Sequence, residues 1–214
     1  MITGQFDGQL YSKQIWNQKV TDALPSDRFT NNFTNEIRNT DGDGNVVLQE
    51  NLNSLELTKV YFIVSNSSAS ASELVINSLS SYIDVRVIGT TTRGKQEGSI
   101  TLYDSNNNTR TGANLNPNHK YAMQPITFEI SNKNGVNYRN GIIPGSAPFP
   151  GIELPEDYGN LGVLGERSDP LLEATLKYIA TGSKTFSKKS NLISKEIFNS
   201  KLAYPAKDNM FLEF

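Results

Sequence analysis

The 214-residue sequence predicts an α/β fold, and three neighbouring stretches carry that prediction. Val60-Tyr61-Phe62-Ile63-Val64 is a short β-branched and aromatic run with the character of a buried strand. Leu74, Val75, Leu79, Tyr82 and Ile83 then recur at helical spacing. Asp84 to Gly89 returns to an extended apolar pattern. The length suits one domain, or one domain with an appendage, and can bury a substantial core. Residues 1 to 182 are read as the body, with 31 to 55 as a polar loop insertion. Residues 183 to 214 are read as a C-terminal appendage.

The first thirty residues mix apolar anchors (Phe6, Leu10, Tyr11, Ile15, Trp16) with polar spacers and open abruptly, like the interior of something longer. Residues 31 to 55 are polar and loop-like. Within them Asn39, Asp41, Asp43, Gly44 and Glu50 fit the spacing of a calcium-binding EF-hand loop, apart from Asn in place of the first Asp. Asp-Gly pairs between extended segments are also turn signals, and the flanks lack amphipathic helices. A tight turn is the reading adopted. Ser67 or Ser68 would cap the helix after Val64, leaving Ser70 in or just before its first turn.

Gly98 to Tyr103 reads as a strand, and Asp104 to Gly112 as an exposed hairpin loop. Tyr121 to Ile130 reads as a second strand, with Gln124-Pro125 marking an edge or bulge. Asn132-Lys133-Asn134-Gly135 signals another turn, and Gly141-Ile142-Ile143-Pro144 is extended. Ser168-Asp169-Pro170 opens a capped amphipathic helix through Ile179, which Gly182 ends. Ile193, Ile197 and Phe198 hint at a short helix in the lysine-rich tail. That tail is expected to dock on the body or on a second copy, which would make a homo-oligomer.

Chemistry concentrates where the first strand turns into the first long helix. A helix start offers unpaired N–H groups and the positive end of a dipole, and a serine there can attack a carbonyl while nearby amides receive the oxyanion. Lys95 follows Ser70 by twenty-five residues, across one helix and one strand, a route that can return an amine beside a hydroxyl. Asn66-Ser67-Ser68-Ala69-Ser70-Ala71-Ser72-Glu73-Leu74, followed by Val87-Ile88-Gly89-Thr90 and Gly94-Lys95, resembles the active-site segment of the carboxy-terminal processing peptidases, or tail-specific proteases. The resemblance covers roughly residues 55 to 180. It implies a Ser–Lys serine endopeptidase cleaving near protein C-termini, with Ser70 as nucleophile, Lys95 as general base and Glu73 in a supporting catalytic role. It also implies a crotonase- or Clp-protease-like core of repeated β-β-α units. Gly141-Ile142-Ile143-Pro144 echoes a Gly-x-Ile-x-Pro pattern of the same family.

A serine hydroxyl needs a base to become a good nucleophile. Free lysine has a pKa near roughly 10.4, which desolvation lowers, so Lys95 is expected to act uncharged against the protein interior. The Ala71 amide, next to the nucleophile, is the expected oxyanion donor. In the family a glycine-rich Asp-Leu-Arg-x-Asn-x-Gly-Gly type segment upstream of the nucleophile supplies its companion. That motif does not occur in this sequence, so the chain is read as the C-terminal part of a larger catalytic domain. Many members carry a glutamine four residues after the lysine; here that position is Ser99, and Gln96 lies nearer. His119 is the competing base, but it sits alone in a turn without a carboxylate evident in sequence. The alternative function is a non-catalytic binding or assembly domain on the same scaffold.

Composition narrows the partners. Net charge is −2 and the isoelectric point about 5.5, which argues against nucleic acid and against a membrane-binding basic face. No apolar run approaches the length of a spanning helix, and Met1 to Gly4 does not open a signal peptide. The absence of cysteine excludes disulfides and thiolate metal sites, and a single histidine argues against structural zinc. No cofactor or metal is expected, and the partners are protein or peptide substrates. The family resemblance implies the cell envelope or periplasm.

Overall fold

The structure, a computed structural model, describes residues 4–184. In chain order the elements are β1 (Leu10–Ile15), α1 (Gln18–Ala23), β2 (Thr30–Asn32), β3 (Glu36–Thr40), β4 (Val46–Asn51) and β5 (Lys59–Val64). There follow α2 (Ala71–Leu79), β6 (Asp84–Gly89), β7 (Glu97–Ser99), β8 (Leu102–Tyr103) and β9 (Ala122–Met123). The chain continues through β10 (Ile126–Ser131), β11 (Gly151–Glu153) and α3 (Pro170–Thr181). The fold is mixed α/β, as the sequence predicts.

A three-stranded parallel sheet, ordered β11-β6-β5, forms the centre. Side chains alternate across a strand, and here each face meets a different helix. Val60, Val64, Val85 and Val87 pack with Ile76 and Leu79 of α2, and with Ile142 and Phe149. Ile88, Ile152 and Tyr61 turn the other way, onto Tyr178 of α3. With a helix against each face, β5 is apolar after Lys59, and β6 is apolar apart from Asp84 and Arg86. Arg86 reinforces the α3 face: it grips Asp84 through two bonds of 2.7 and 2.9 Å and donates to the Tyr178 hydroxyl at 2.9 Å.

The opposite side of α2 meets a second sheet, antiparallel and ordered β2-β1-β10-β7. Polar side chains of α2 are buried on this side. Asn77 donates to Gln96 Oε1 at 3.0 Å and to the Val136 carbonyl at 2.9 Å, and accepts from Asn132 Nδ2 at 2.8 Å. Asn132 in turn accepts from the amides of Asn134 and Val136. This polar network, in place of an apolar seam, fixes the register of α2 between its two sheets.

Four expectations are corrected. Residues 31 to 55 are no loop: β3 and β4 pair as a hairpin whose turn is closed by Asp41, which accepts from the amides of Asp43 and Asn45 at 2.9 Å each. Those bonds and the Asn45 side chain hold the Asp41 carboxyl below its usual range. The turn reading of Asp41-Gly42-Asp43-Gly44 thus fits, and no acidic cluster able to hold a metal occurs among the described residues. Second, α2 ends at Leu79, so Tyr82 and Ile83 lie in the turn after it, where the Tyr82 hydroxyl donates to the Leu10 carbonyl at 2.6 Å. Third, Gly98 to Tyr103 is split into β7 and β8, which join different sheets. Fourth, Tyr121 to Ile130 is likewise divided, at Gln124-Pro125, into β9 and β10. The short helix suggested by Ile193, Ile197 and Phe198 lies outside the described residues, as does most of the appendage.

Candidate active site

Ser70 is the N-cap of α2 itself, not Ser67 or Ser68. Its backbone lies at φ 54° and ψ −112°, a conformation that side chains rarely adopt and that costs on the order of 1–3 kcal/mol. Two acceptors hold it there. The Ser70 N–H donates to the Lys95 carbonyl at 3.1 Å and to Glu73 Oε2 at 3.1 Å. Ser68 braces the turn from below: its hydroxyl accepts from the Ser65 amide at 3.1 Å, and its carbonyl accepts from the Arg93 amide at 2.9 Å. A strand-to-helix turn of this kind thrusts its central residue outward, and Ser70 is exposed.

Glu73 is fully buried beneath that turn. Oε1 accepts from the Thr92 hydroxyl and, at 2.6 Å, from the Gly94 amide; Oε2 accepts from the Ser70 amide and, at 2.9 Å, from the Lys95 amide. One carboxylate thus ties the start of α2 to the loop carrying Lys95. Buried charge is tolerated only when its lone pairs are filled, and four donors fill these. Its geometry is that of a positioning group, turned away from solvent. Lys95 itself is half-buried. Ser70 and Lys95 are therefore neighbours through their main chains.

Sequence reasoning missed Thr92. It is buried, donates to Glu73 and accepts from the Ile142 amide at 2.8 Å, and its own amide donates to the Ile142 carbonyl at 3.1 Å. It therefore links the Glu73 hub to the Gly141-Ile142 segment. Nothing in the run Thr90-Thr91-Thr92 distinguishes the third threonine from the others. A better signal was Gly94: at φ +82°, an added Cβ would stand 2.1 Å from the Arg139 carbonyl oxygen, so only glycine fits. The Gly141 backbone packs as closely, its Cβ position lying 2.2 Å from the Thr92 carbonyl oxygen.

The remaining candidates fall as follows. Ala71 is the first residue of α2, is exposed, and among the described residues its N–H meets no acceptor, which is the state of an amide at a helix start. Gln96 is turned inward to Asn77, so its carboxamide oxygen serves α2. His119 does have a carboxylate partner, Asp104, 3.3 Å from Nε2. Asn116 and then His119 hold the Asp104 carboxyl below its usual range. This pair belongs to the β8–β9 excursion, and among the described residues no hydrogen bond joins it to Ser70 or Lys95.

No protein-family model matches the chain, and no curated protein does. Among solved structures it is similar to a protein of Bacteroides fragilis NCTC 9343 described as a candidate S41 protease, with a TM-score of 0.57 and 20% identity. The likeness covers 86% of this chain and 39% of that one, so the chain spans well under half the neighbour's length. At that identity the likeness speaks for architecture, and the chain has an α/β fold similar to that of an S41 protease.

Proposed function

We propose that the chain carries the nucleophile and base of a serine-type endopeptidase that hydrolyses peptide bonds near protein C-termini. The observation that supports this most is the strained Ser70 backbone, held at a strand-to-helix turn by the Lys95 carbonyl and the Glu73 carboxylate. Strain of this kind persists only where surroundings enforce it, and it clusters at sites of chemistry. The spacing of Ser70 and Lys95, and the S41-like architecture, agree with the reading.

In this mechanism the Ser70 Oγ attacks the scissile carbonyl while its proton passes to the Lys95 amine. The tetrahedral oxyanion accepts from the Ala71 N–H. The C–N bond then breaks, and Lys95 returns the proton to the departing amine. Water attacks the Ser70 ester, Lys95 takes its proton, and the serine hydroxyl is regenerated as the acid product leaves. Glu73 acts by holding the backbones of both residues. A place of action in the cell envelope belongs to the same proposal.

A non-catalytic binding or assembly role is the second reading, favoured by the open setting of Ser70. A fluorophosphonate probe on the 214-residue chain separates the two. The peptidase reading expects labelling that Ser70→Ala abolishes and Lys95→Ala lowers by two to three orders of magnitude, roughly the worth of a general base. Equal labelling of wild type and Ser70→Ala overturns it.

A further inference from the structure

β5 is an end strand of the parallel sheet, yet its sequence is that of an interior strand. Val60-Tyr61-Phe62-Ile63-Val64 is the longest unbroken run of large apolar side chains in the chain, and such runs suit strands that a sheet encloses. Free edges are ordinarily blunted by shortness, bulges, proline or lysine. The opposite end strand, β11, is three residues long. β5 spans six residues in unbroken register with β6, contains no proline, and carries its one lysine, Lys59, at its start.

The backbone shows which groups this edge leaves open. The Asp84 amide donates to the Thr58 carbonyl at 3.0 Å, and the Thr90 amide to the Val64 carbonyl at 3.2 Å. In a parallel ladder alternate residues turn both N–H and C=O toward the same neighbour. Val60, Phe62 and Val64 therefore serve β6, and the N–H and C=O of Lys59, Tyr61 and Ile63 point outward. Among the described residues no strand or backbone group pairs with them. The side chains agree: Ile63 is exposed, although Phe62 and Val64 beside it join the core with α2, and Tyr61 packs on Tyr178 of α3.

A strand added at this edge lies between the α2 and α3 layers, so it must be apolar toward both. The segment of this chain that best meets that demand is β5 itself. We propose that the chain associates with a second copy by antiparallel β5–β5 pairing, which joins two three-stranded sheets into one continuous sheet across a two-fold axis. The outward groups set the register: Tyr61 exchanges both hydrogen bonds with Ile63 of the partner subunit, and Phe62 meets Phe62 of the partner subunit on the axis. That is the closer, non-hydrogen-bonded kind of pair, with Cα atoms about 4.5 Å apart. No like charges oppose each other, since Lys59 falls opposite Ser65 of the partner subunit and is already paired with Asp84.

Sedimentation of the 214-residue chain is expected to show a dimer, twice the 23.7 kDa of one copy, that dissociates on dilution. Ile63→Pro removes an N–H that the single subunit does not use, and Ile63→Lys places a charge at an exposed edge position. Both variants should keep the far-ultraviolet dichroism of the wild type. Ile63→Pro should weaken association at least about tenfold, because the two-fold axis removes two hydrogen bonds at once, and Ile63→Lys should weaken it in the same direction. The chain has no cysteine, so Phe62→Cys carries a single thiol. A Cα separation of about 4.5 Å suits a disulfide, and this variant should oxidise to a linked dimer far faster than Val47→Cys on the exposed hairpin. A monomer at every concentration, a dimer untouched by both Ile63 variants, or Phe62→Cys linking no faster than Val47→Cys overturns the pairing. None of these readouts depends on the reactivity of Ser70, so this inference and the peptidase reading fail separately.

Discussion

Ser70 carries a measurable cost in its own backbone. Because φ 54° with ψ −112° suits glycine and no other residue, Ser70→Gly is expected to stabilise the chain relative to Ser70→Ala by about 1 kcal/mol or more, in spite of glycine's greater unfolded entropy. Denaturant midpoints of the two variants test this; a glycine variant no more stable than the alanine one would show that the turn is relaxed. Glu73 predicts the reverse sign. Glu73→Gln sets an amide donor against four donors, leaving some unmatched at about 1–3 kcal/mol each. We expect a loss of about 3 kcal/mol and weaker Ser70 labelling, with Thr92→Val giving a smaller loss of the same kind. The resemblance marked Ser70 and Glu73 as candidates, yet the hub was not legible, since no sequence pattern states that one carboxylate collects donors from two loops.

At the scale of elements, legibility followed punctuation. The helix α3 lay in plain view because Asp169 caps it, accepting from the amides of Leu171 and Leu172, Pro170 opens it, and Gly182 closes it at φ +67°. Asp169→Ala should cost about 1 kcal/mol, read as a lower denaturant midpoint with an unchanged slope. For α2 the helical spacing ran on through Tyr82 and Ile83, whose apolar bulk serves a turn packed on Phe6 and Phe33. Tertiary packing overrode periodicity there. The β3–β4 hairpin was hidden for another reason: every residue of β4 is exposed, so no buried face imposed the alternation that reveals a strand. Its turn was readable because Asp41 and Gly44 act locally.

For the whole molecule, the layered order places α3, the parallel sheet, α2 and the antiparallel sheet in succession, so acid sensitivity should enter through the ionic lock on the α3 side. Arg86 and then Lys59 hold the Asp84 carboxyl below its usual range. A carboxyl lowered on folding contributes stability above its unfolded pKa, roughly 3.9, and loses it as pH falls through the lower folded value. Asp84→Asn should therefore flatten the decline in stability below about pH 4, and cost under about 1 kcal/mol at neutral pH because the pair is partly exposed. Chemical unfolding at several pH values checks the slope; an unaltered slope in the variant would assign acid sensitivity elsewhere.

The contact between Ser70 and Lys95 runs from peptide nitrogen to peptide oxygen, and that has a consequence for chemical complementation. Truncating the lysine to alanine leaves the amide–carbonyl tie in place and opens a hole where its side chain stood. Small primary amines added to Lys95→Ala should then recover part of the fluorophosphonate reactivity, ranked by how well they fit that hole as well as by basicity. Tertiary amines of equal base strength should recover none.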